Sequence, residues 1–206
     1  MNNVTNLNNL EDSWKNNDVL FYRQLEYNLK EIASVESYPN HWHVFINLID
    51  KFNPSDILDI GCGCGIYYEL CKRHFPEIIY TGMDYSEEAI ELAKKTWAED
   101  HFFVKDYKDL TTVDIKDYDL VHVGAMFDVL PNGDEALEFI LSLKPRALLI
   151  GRIKLTDRDS YYDTYTAYDT ITTCGFYHNK NNFLDLCSRY GYNVYQTLDN
   201  FYLRKK

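Results

Sequence analysis

The sequence predicts a doubly wound α/β fold, on three observations. Short apolar strands alternate with amphipathic helices through the middle of the chain, the pattern of a parallel sheet covered on both faces. A glycine-rich turn, Gly61-Cys-Gly-Cys-Gly65, joins the first of those strands directly to the first of those helices. The chain then closes on two strand-like runs separated by Asp199-Asn200, a dipeptide suited to a tight antiparallel hairpin.

The elements follow in order. Residues 1 to about 10 are Asn-rich and expected to be loose. Glu11 to Ser34 reads as a helix with Leu20, Phe21, Leu25 and Leu29 on one face, and Pro39-Asn40 opens a second with Val44, Phe45, Leu48 and Ile49 inward. This N-terminal extension, residues 1–52, is expected to cap a domain formed by residues 53–206, the whole being one compact unit. "DILDI", "IIYTGMD", "HFFVKD", "DLVHVGA" and "ALLIGRIKL" supply five strands. Between them lie "IYYELCKRHF", stopped by Pro76, "EEAIELAKKTW", capped by Ser86, and "DEALEFILSL". Thr156 to Lys180 breaks the rhythm; it is polar, Tyr-rich and aperiodic, and reads as a long irregular loop of the kind that often forms a lid or binding wall. A helix "NFLDLCSRYG" follows, ended by Gly191, and the hairpin "YNVYQTL"/"FYLRKK" completes the chain.

Composition narrows the function. The formal charge of −11 leaves no basic stripe for a phosphate backbone, which argues against nucleic acid as the main partner. No apolar run approaches the roughly 20 residues that span a bilayer, and the polar N-terminus lacks a signal-peptide apolar stretch. A cytoplasmic location is the expectation. Five cysteines, an odd number, then read as free thiols. Cys62 and Cys64 lack the paired knuckles of a structural zinc site, so no metal is expected; two small side chains fitting a tight loop explain them.

The glycine turn is therefore read as a backbone cradle. Glycine lets backbone N–H groups at a helix N-terminus approach a ligand closely. The dinucleotide fingerprint is broken, since Ile66 stands where its third glycine belongs, and the phosphate-loop pattern is absent. Carboxylates take the key strand ends instead: Asp59 before the turn, Asp84 where both ribose hydroxyls can be met, and Asp106 where an adenine amino group would lie. Three carboxylates would repel a pyrophosphate and suit a nucleoside carrying positive charge.

At these residues the chain resembles the class I S-adenosylmethionine-dependent methyltransferases, over about residues 54 to 155. Asp59-Ile-Gly61-Cys-Gly63-Cys-Gly65 matches their [DE]-x-G-x-G-x-G motif, "GMDYSEEAIELAKK" their acidic second strand end, and Asp106 the acidic residue after the third. The resemblance implies a Rossmann-like seven-stranded sheet, mostly parallel, with the last strand inserted antiparallel. It implies S-adenosylmethionine as cofactor, its methionine part on the loop of Asp59, Gly61, Cys62, Gly63 and Gly65. Its ribose would meet Asp84 beside Tyr85, and its adenine Asp106 and Tyr107. Gly124, Ala125 and Met126 would wall the sulfonium.

Other residues keep two readings each. His122 is a base or a satisfied core histidine; Asp128 faces the acceptor or caps a turn. Arg152 binds an acceptor anion or a neighbouring carboxylate. His41 and His43, flanking Trp42, serve a lid or lie on the surface. Tyr161, Tyr162, Tyr165, Tyr168 and His178 stack on an acceptor or pack the loop. "AMFD" replaces the [DNS]-P-P-[YF] motif of nucleic-acid amino methylases, which argues against chemistry on bases. The expected activity is methyl transfer to an oxygen or nitrogen of a small molecule or glycan unit, with His122, Asp128 or His178 as base and Arg152, Tyr162, Tyr165 and His43 at the acceptor. A homodimer is left open, as are a cofactor-binding subunit without turnover and, against the evidence of Ile66, a nicotinamide enzyme.

Overall fold

A computed structural model describes residues 10–15 and 18–206; the Asn-rich start lies outside them. Seven strands form one sheet: β1 (Asp56–Ile60), β2 (Ile79–Asp84), β3 (Phe102–Val104), β4 (Leu120–Val123), β5 (Ala147–Ile150), β9 (Tyr192–Thr197) and β10 (Asn200–Lys205). Their order is β3-β2-β1-β4-β5-β10-β9. The first five run parallel and β10 lies antiparallel to both β5 and β9. The order reverses between β1 and β4, which opens a crevice at the carboxyl ends of those strands.

Alternation along the strands sorts the side chains to two faces. Leu58, Val121, Val123, Leu148, Ile150 and Leu203 join one core cluster with Leu137 and Ile140 of α6 (Gly133–Ser142) and Phe183 of α7 (Lys180–Arg189). Ile57, Leu120, Leu149 and Tyr202 join the other. That second cluster takes Trp42 and Phe45 from α2 (Asn40–Phe52), Leu70 from α3 (Ile66–His74), and Ile90 and Ala93 from α4 (Glu87–Trp97). Each fully buried Leu, Ile or Phe contributes about 1.5–3 kcal/mol by leaving water, so both layers are held by their apolar stripes. Ser86 caps α4 by accepting from Ala89 N at 3.3 Å. A short helix, α5 (Thr112–Ile115), precedes β4 and carries a capping box between Thr111 and Asp114.

The N-terminal segment is a 3-10 turn, Asp12–Trp14, followed by α1 (Asp18–Glu31). Leu20, Phe21 and Leu25 pack against Ala89 and Leu92 of α4. Leu29 does not join them; it is 45% exposed.

Three expectations are corrected. The stretch from Thr156 to Lys180 is not irregular: it holds β7 (Tyr161–Ala167) and β8 (Ile171–Asn179), which with β6 (Lys154–Thr156) form a second sheet ordered β6-β8-β7. Threonine and tyrosine carry the strand propensity there, and Tyr161 stacks on its cross-strand partner Tyr177 at 4.8 Å between ring centroids. "ALLIGRIKL" is two strands in two sheets, because the chain breaks at Arg152, whose φ is 62°. The hairpin turns on Leu198-Asp199, one residue earlier than expected, since Asn200 already pairs with Thr197. Among the described residues no helix is long and apolar enough to cross a membrane.

Candidate active site

The turn after β1 sits at the crevice. Gly61, Gly63 and Gly65 have φ of 75°, 52° and 78°, the left-handed region that side chains disfavour. Gly61 N and Cys62 N both donate to Met83 O, at 2.8 and 3.0 Å, tying the turn to the end of β2. The three glycines serve different ends. A Cβ on Gly65 would lie 2.7 Å from the Phe102 ring and 3.0 Å from Trp97 Nε1, so this glycine admits the packing of β3 and α4 beneath the turn. A Cβ on Gly63 would meet Gln24 Oε1 of α1 at 2.8 Å. At Gly61 the nearest atom would be Met126 Cβ at 3.6 Å, an ordinary van der Waals contact.

Asp84 organises the next wall. Its Oδ2 accepts from Gly63 N at 2.9 Å and its Oδ1 from Ser86 N at 3.0 Å. The residue is 6% exposed, and burial, only partly offset by those N–H groups, pushes its carboxyl up to about 6. Asp106 follows β3 and caps the 3-10 turn Tyr107–Asp109 by accepting from Lys108 N at 3.0 Å.

Gly61, Cys62, Gly63, Asp84, Tyr85, Asp106, Tyr107, Gly124, Ala125 and Met126 all line one cavity of about 610 Å³, within the about 300–1,000 Å³ usual for small-molecule sites. The N-terminal segment roofs it. Tyr85 Oη donates to Glu11 O at 3.2 Å and Lys108 pairs with the Glu11 carboxylate. On the other side Ser13 Oγ and Trp14 Nε1 both donate to Thr173 Oγ1, at 3.0 and 2.9 Å. The remaining walls are aromatic and of mixed charge: Tyr67, Trp42, Tyr165 and Tyr168, with His41, Arg152, Glu31 and Asp169. Burial, reinforced by the Arg152 charge, pushes His41 down to about 4, so its imidazole is uncharged at neutral pH.

Several expected site residues stand off the cavity. Asp59 is buried below the turn, accepting from Tyr80 Oη and facing His122 Nδ1 at 2.7 Å. His122 is buried with it, its ring 4.3 Å from that of Tyr67, and it does not reach the cavity. Asp128 is 1% exposed; neither carboxylate oxygen has a hydrogen bond, and its contact is an ion pair at 3.5 Å with Arg152 Nε. His178 is fully buried, its Nδ1 2.6 Å from Asp134 Oδ1 and its ring against Phe176. Tyr162, three residues before Tyr165 in β7, points to the opposite face of the strand, and His43 turns its ring to Tyr38 at 5.7 Å, leaving the cavity to His41 and Trp42. Gly65 is occupied by packing, as above.

The structure also adds residues that the sequence did not single out. Tyr67 lies in the first turn of α3, directly after the glycines, and lines the cavity; that position was its signal. Gln24 had none, being one polar residue of α1, yet its Oε1 is buried beside Gly63 without a hydrogen-bond partner. Among the described residues no group of three or more His, Cys, Asp or Glu side chains is arranged to hold a metal ion.

The turn cysteines are inert. Burial pushes the Cys64 thiol up to about 12 and holds the Cys62 thiol well above its ordinary value, and the thiolate is the reactive form. Iodoacetamide at pH 7.5 is expected to leave both unmodified in the folded protein and to alkylate both in urea, read by peptide mass.

Known proteins bear on this geometry. A family model described as a methyltransferase domain matches residues 36–197. The chain is 28% identical over 138 residues to a malonyl-[acyl-carrier protein] O-methyltransferase of Halalkalibacterium halodurans, covering 61% of this chain and 50% of that protein. It spans half or less of the length of the curated relatives it matches. Among solved structures, DesVI of Streptomyces venezuelae aligns with a TM-score of 0.64 at 11% identity, over 94% of this chain and 100% of that one. Magnesium protoporphyrin IX methyltransferase of Synechocystis PCC 6803 aligns with a TM-score of 0.63 at 14% identity, over 100% of both chains. At those identities the likeness is one of fold.

Proposed function

The chain belongs to the class I S-adenosylmethionine-dependent methyltransferases, whose domain model spans residues 36–197, and from that premise we propose that it methylates an oxygen or nitrogen of a small polar molecule or glycan unit. The observation that carries the proposal is the convergence of Gly61–Gly63, Asp84 and Asp106 on one cavity that continues to Gly124–Met126 and Arg152.

The donor set suits S-adenosylmethionine. Gly61 has no neighbour that a Cβ would press on, Gln24 Oε1 is a buried acceptor without a partner, and Asp84 and Asp106 present carboxylates to a cationic nucleoside. The cofactor supplies, when bound, a methyl group made electrophilic by its sulfonium. Asp84 would hold the ribose hydroxyls, Asp106 and Tyr107 the adenine edge, and the Gly61–Gly63 backbone with Gln24 the methionine part. Residues 1–52 would act as the cap. What the protein then contributes is alignment of the acceptor and exclusion of water, through the aromatic walls.

Asp84 makes binding pH-dependent. Because its folded pKa is raised, ionising it costs stability in the ligand-free protein: the stability present below about pH 4 is lost as pH rises through about 6. A cationic ligand selects the ionised form. Affinity for S-adenosylmethionine is therefore expected to rise about tenfold between pH 5 and pH 7, as the competent fraction grows; titration calorimetry at the two pH values checks this.

A second reading is a subunit that binds the cofactor without turnover, favoured by the placement of Asp128, His122 and His178 off the cavity. Incubation with methyl-labelled S-adenosylmethionine and a metabolite extract decides between them: label in any acceptor supports the transferase, and none supports the binding subunit.

A further inference from the structure

We propose that the acceptor atom is a carboxylate oxygen, presented by Arg152, so that the product is a methyl ester; this rests on the methyltransferase reading above. Two observations carry it. The first is Arg152 itself. Its backbone is left-handed, an uncommon state for a residue with a side chain, in the connection that leaves the central sheet for the second one. Gly151 N donates to Val123 O at 2.9 Å, so Arg152 is fixed beside Gly124–Met126. Its side chain remains 41% exposed and lines the cavity. Asp128, buried and without a hydrogen bond of its own, lies 3.5 Å from Nε. Among the described residues no hydrogen bond engages the terminal nitrogens. A guanidinium held from behind at Nε leaves its outer edge open, which is the geometry that takes a carboxylate by two parallel N–H···O bonds.

The second observation is what the surrounding walls lack. A hydroxyl or ammonium acceptor must lose a proton, and the buried Asp59, His122, Asp128 and His178 are all turned away from the cavity, while buried Asp84, which lines it, is engaged by Gly63 N and Ser86 N. His41 does line this end, but burial, reinforced by the Arg152 charge, disfavours its protonated form. A carboxylate needs no base at neutral pH. Its oxygen forms the new O–CH₃ bond while the S–CH₃ bond breaks and leaves its electron pair on sulfur. Sulfonium and carboxylate become neutral thioether and neutral ester, and no proton is released. Glu31 and Asp169 also line the cavity, so the preference for an anion is local to Arg152. Tyr67, Tyr165 and Tyr168 would pack the acceptor's body.

The test uses the full chain saturated with S-adenosylhomocysteine, titrated with matched pairs: benzoate and benzamide, phenylacetate and phenylacetamide. At least one acid is expected to bind ten or more times tighter than its amide. Arg152→Gln should bring the members of that pair within twofold, Arg152→Lys should restore part of the gap, and affinity for S-adenosylhomocysteine should stay within twofold throughout. Equal binding within both pairs, no binding by either acid, or a preference that survives Arg152→Gln overturns the proposal. Label transferred in the extract assay should be released by alkali as volatile methanol. Alkali-stable label alone overturns the carboxylate and leaves the methyltransferase; no binding of S-adenosylhomocysteine by the wild-type chain overturns the reading beneath both.

Discussion

Replacing Asp84 by Asn is expected to weaken S-adenosylmethionine binding about 100-fold while moving the melting temperature by only a few degrees. The two effects separate because Asp84 holds two kinds of partner. Toward the protein it accepts from Gly63 N and Ser86 N. Toward the cavity its ionised carboxylate would accept from two ribose hydroxyls, each hydrogen bond to a charged group being worth about 1.5–3 kcal/mol. An amide still accepts one backbone N–H, and its neutrality removes the burial penalty that raises the carboxyl to about 6. Stability is therefore roughly conserved, whereas the ligand loses a charged partner. Calorimetric titration and thermal unfolding of the same preparation give both numbers. A large fall in melting temperature with unchanged affinity would make Asp84 a structural cap of the turn and nothing more.

Gly65→Ala is expected to destabilise the protein far more than Gly61→Ala, although both glycines have positive φ and the sequence presents them as equivalents. Left-handed backbone costs a side chain about 1–2 kcal/mol at either position. At Gly61 that is nearly the whole cost, since the new Cβ has only ordinary contacts. At Gly65 the Cβ would press on the Phe102 ring at 2.7 Å and on Trp97, whose indole donates to Cys64 O at 2.7 Å and cannot move freely. Overpacking of this kind adds about 1–3 kcal/mol. The sum, about 2–5 kcal/mol, is a large part of a typical total stability of about 5–15 kcal/mol. Urea midpoints of the two variants against wild type measure the difference.

The contrast between those glycines shows where the sequence was legible. Strand and helix periodicity located the parallel sheet and its layers, because burial on both faces leaves continuous apolar runs such as "DILDI" and "ALLI". The glycine-turn side of the cavity was legible for a related reason: a glycine turn and three strand-end carboxylates are fixed by local chain geometry, and all of them but Gly65 and Asp59 line it. The opposite side was not. It is lined from the second sheet by β7, which is built mostly from Tyr, Thr and Asp and so carries no apolar alternation. It also depends on the side from which α1 and α2 approach, which put His41 rather than His43 on the wall. Burial of Asp128, His122 and His178 is likewise a tertiary outcome. Each had a polar identity suited to chemistry, and each is spent on a neighbour instead: Arg152, Asp59 and Asp134 respectively.

The most direct test of the account is a crystal structure of the full chain with S-adenosylhomocysteine. The homocysteine part should lie along Gly61–Gly63, the ribose hydroxyls should meet the Asp84 carboxylate, and the adenine should lie against Asp106 and Tyr107. The sulfur should face the space between Gly124–Met126 and Arg152. A product bound elsewhere, or bound with Asp84 still engaged only by Gly63 and Ser86, would contradict it.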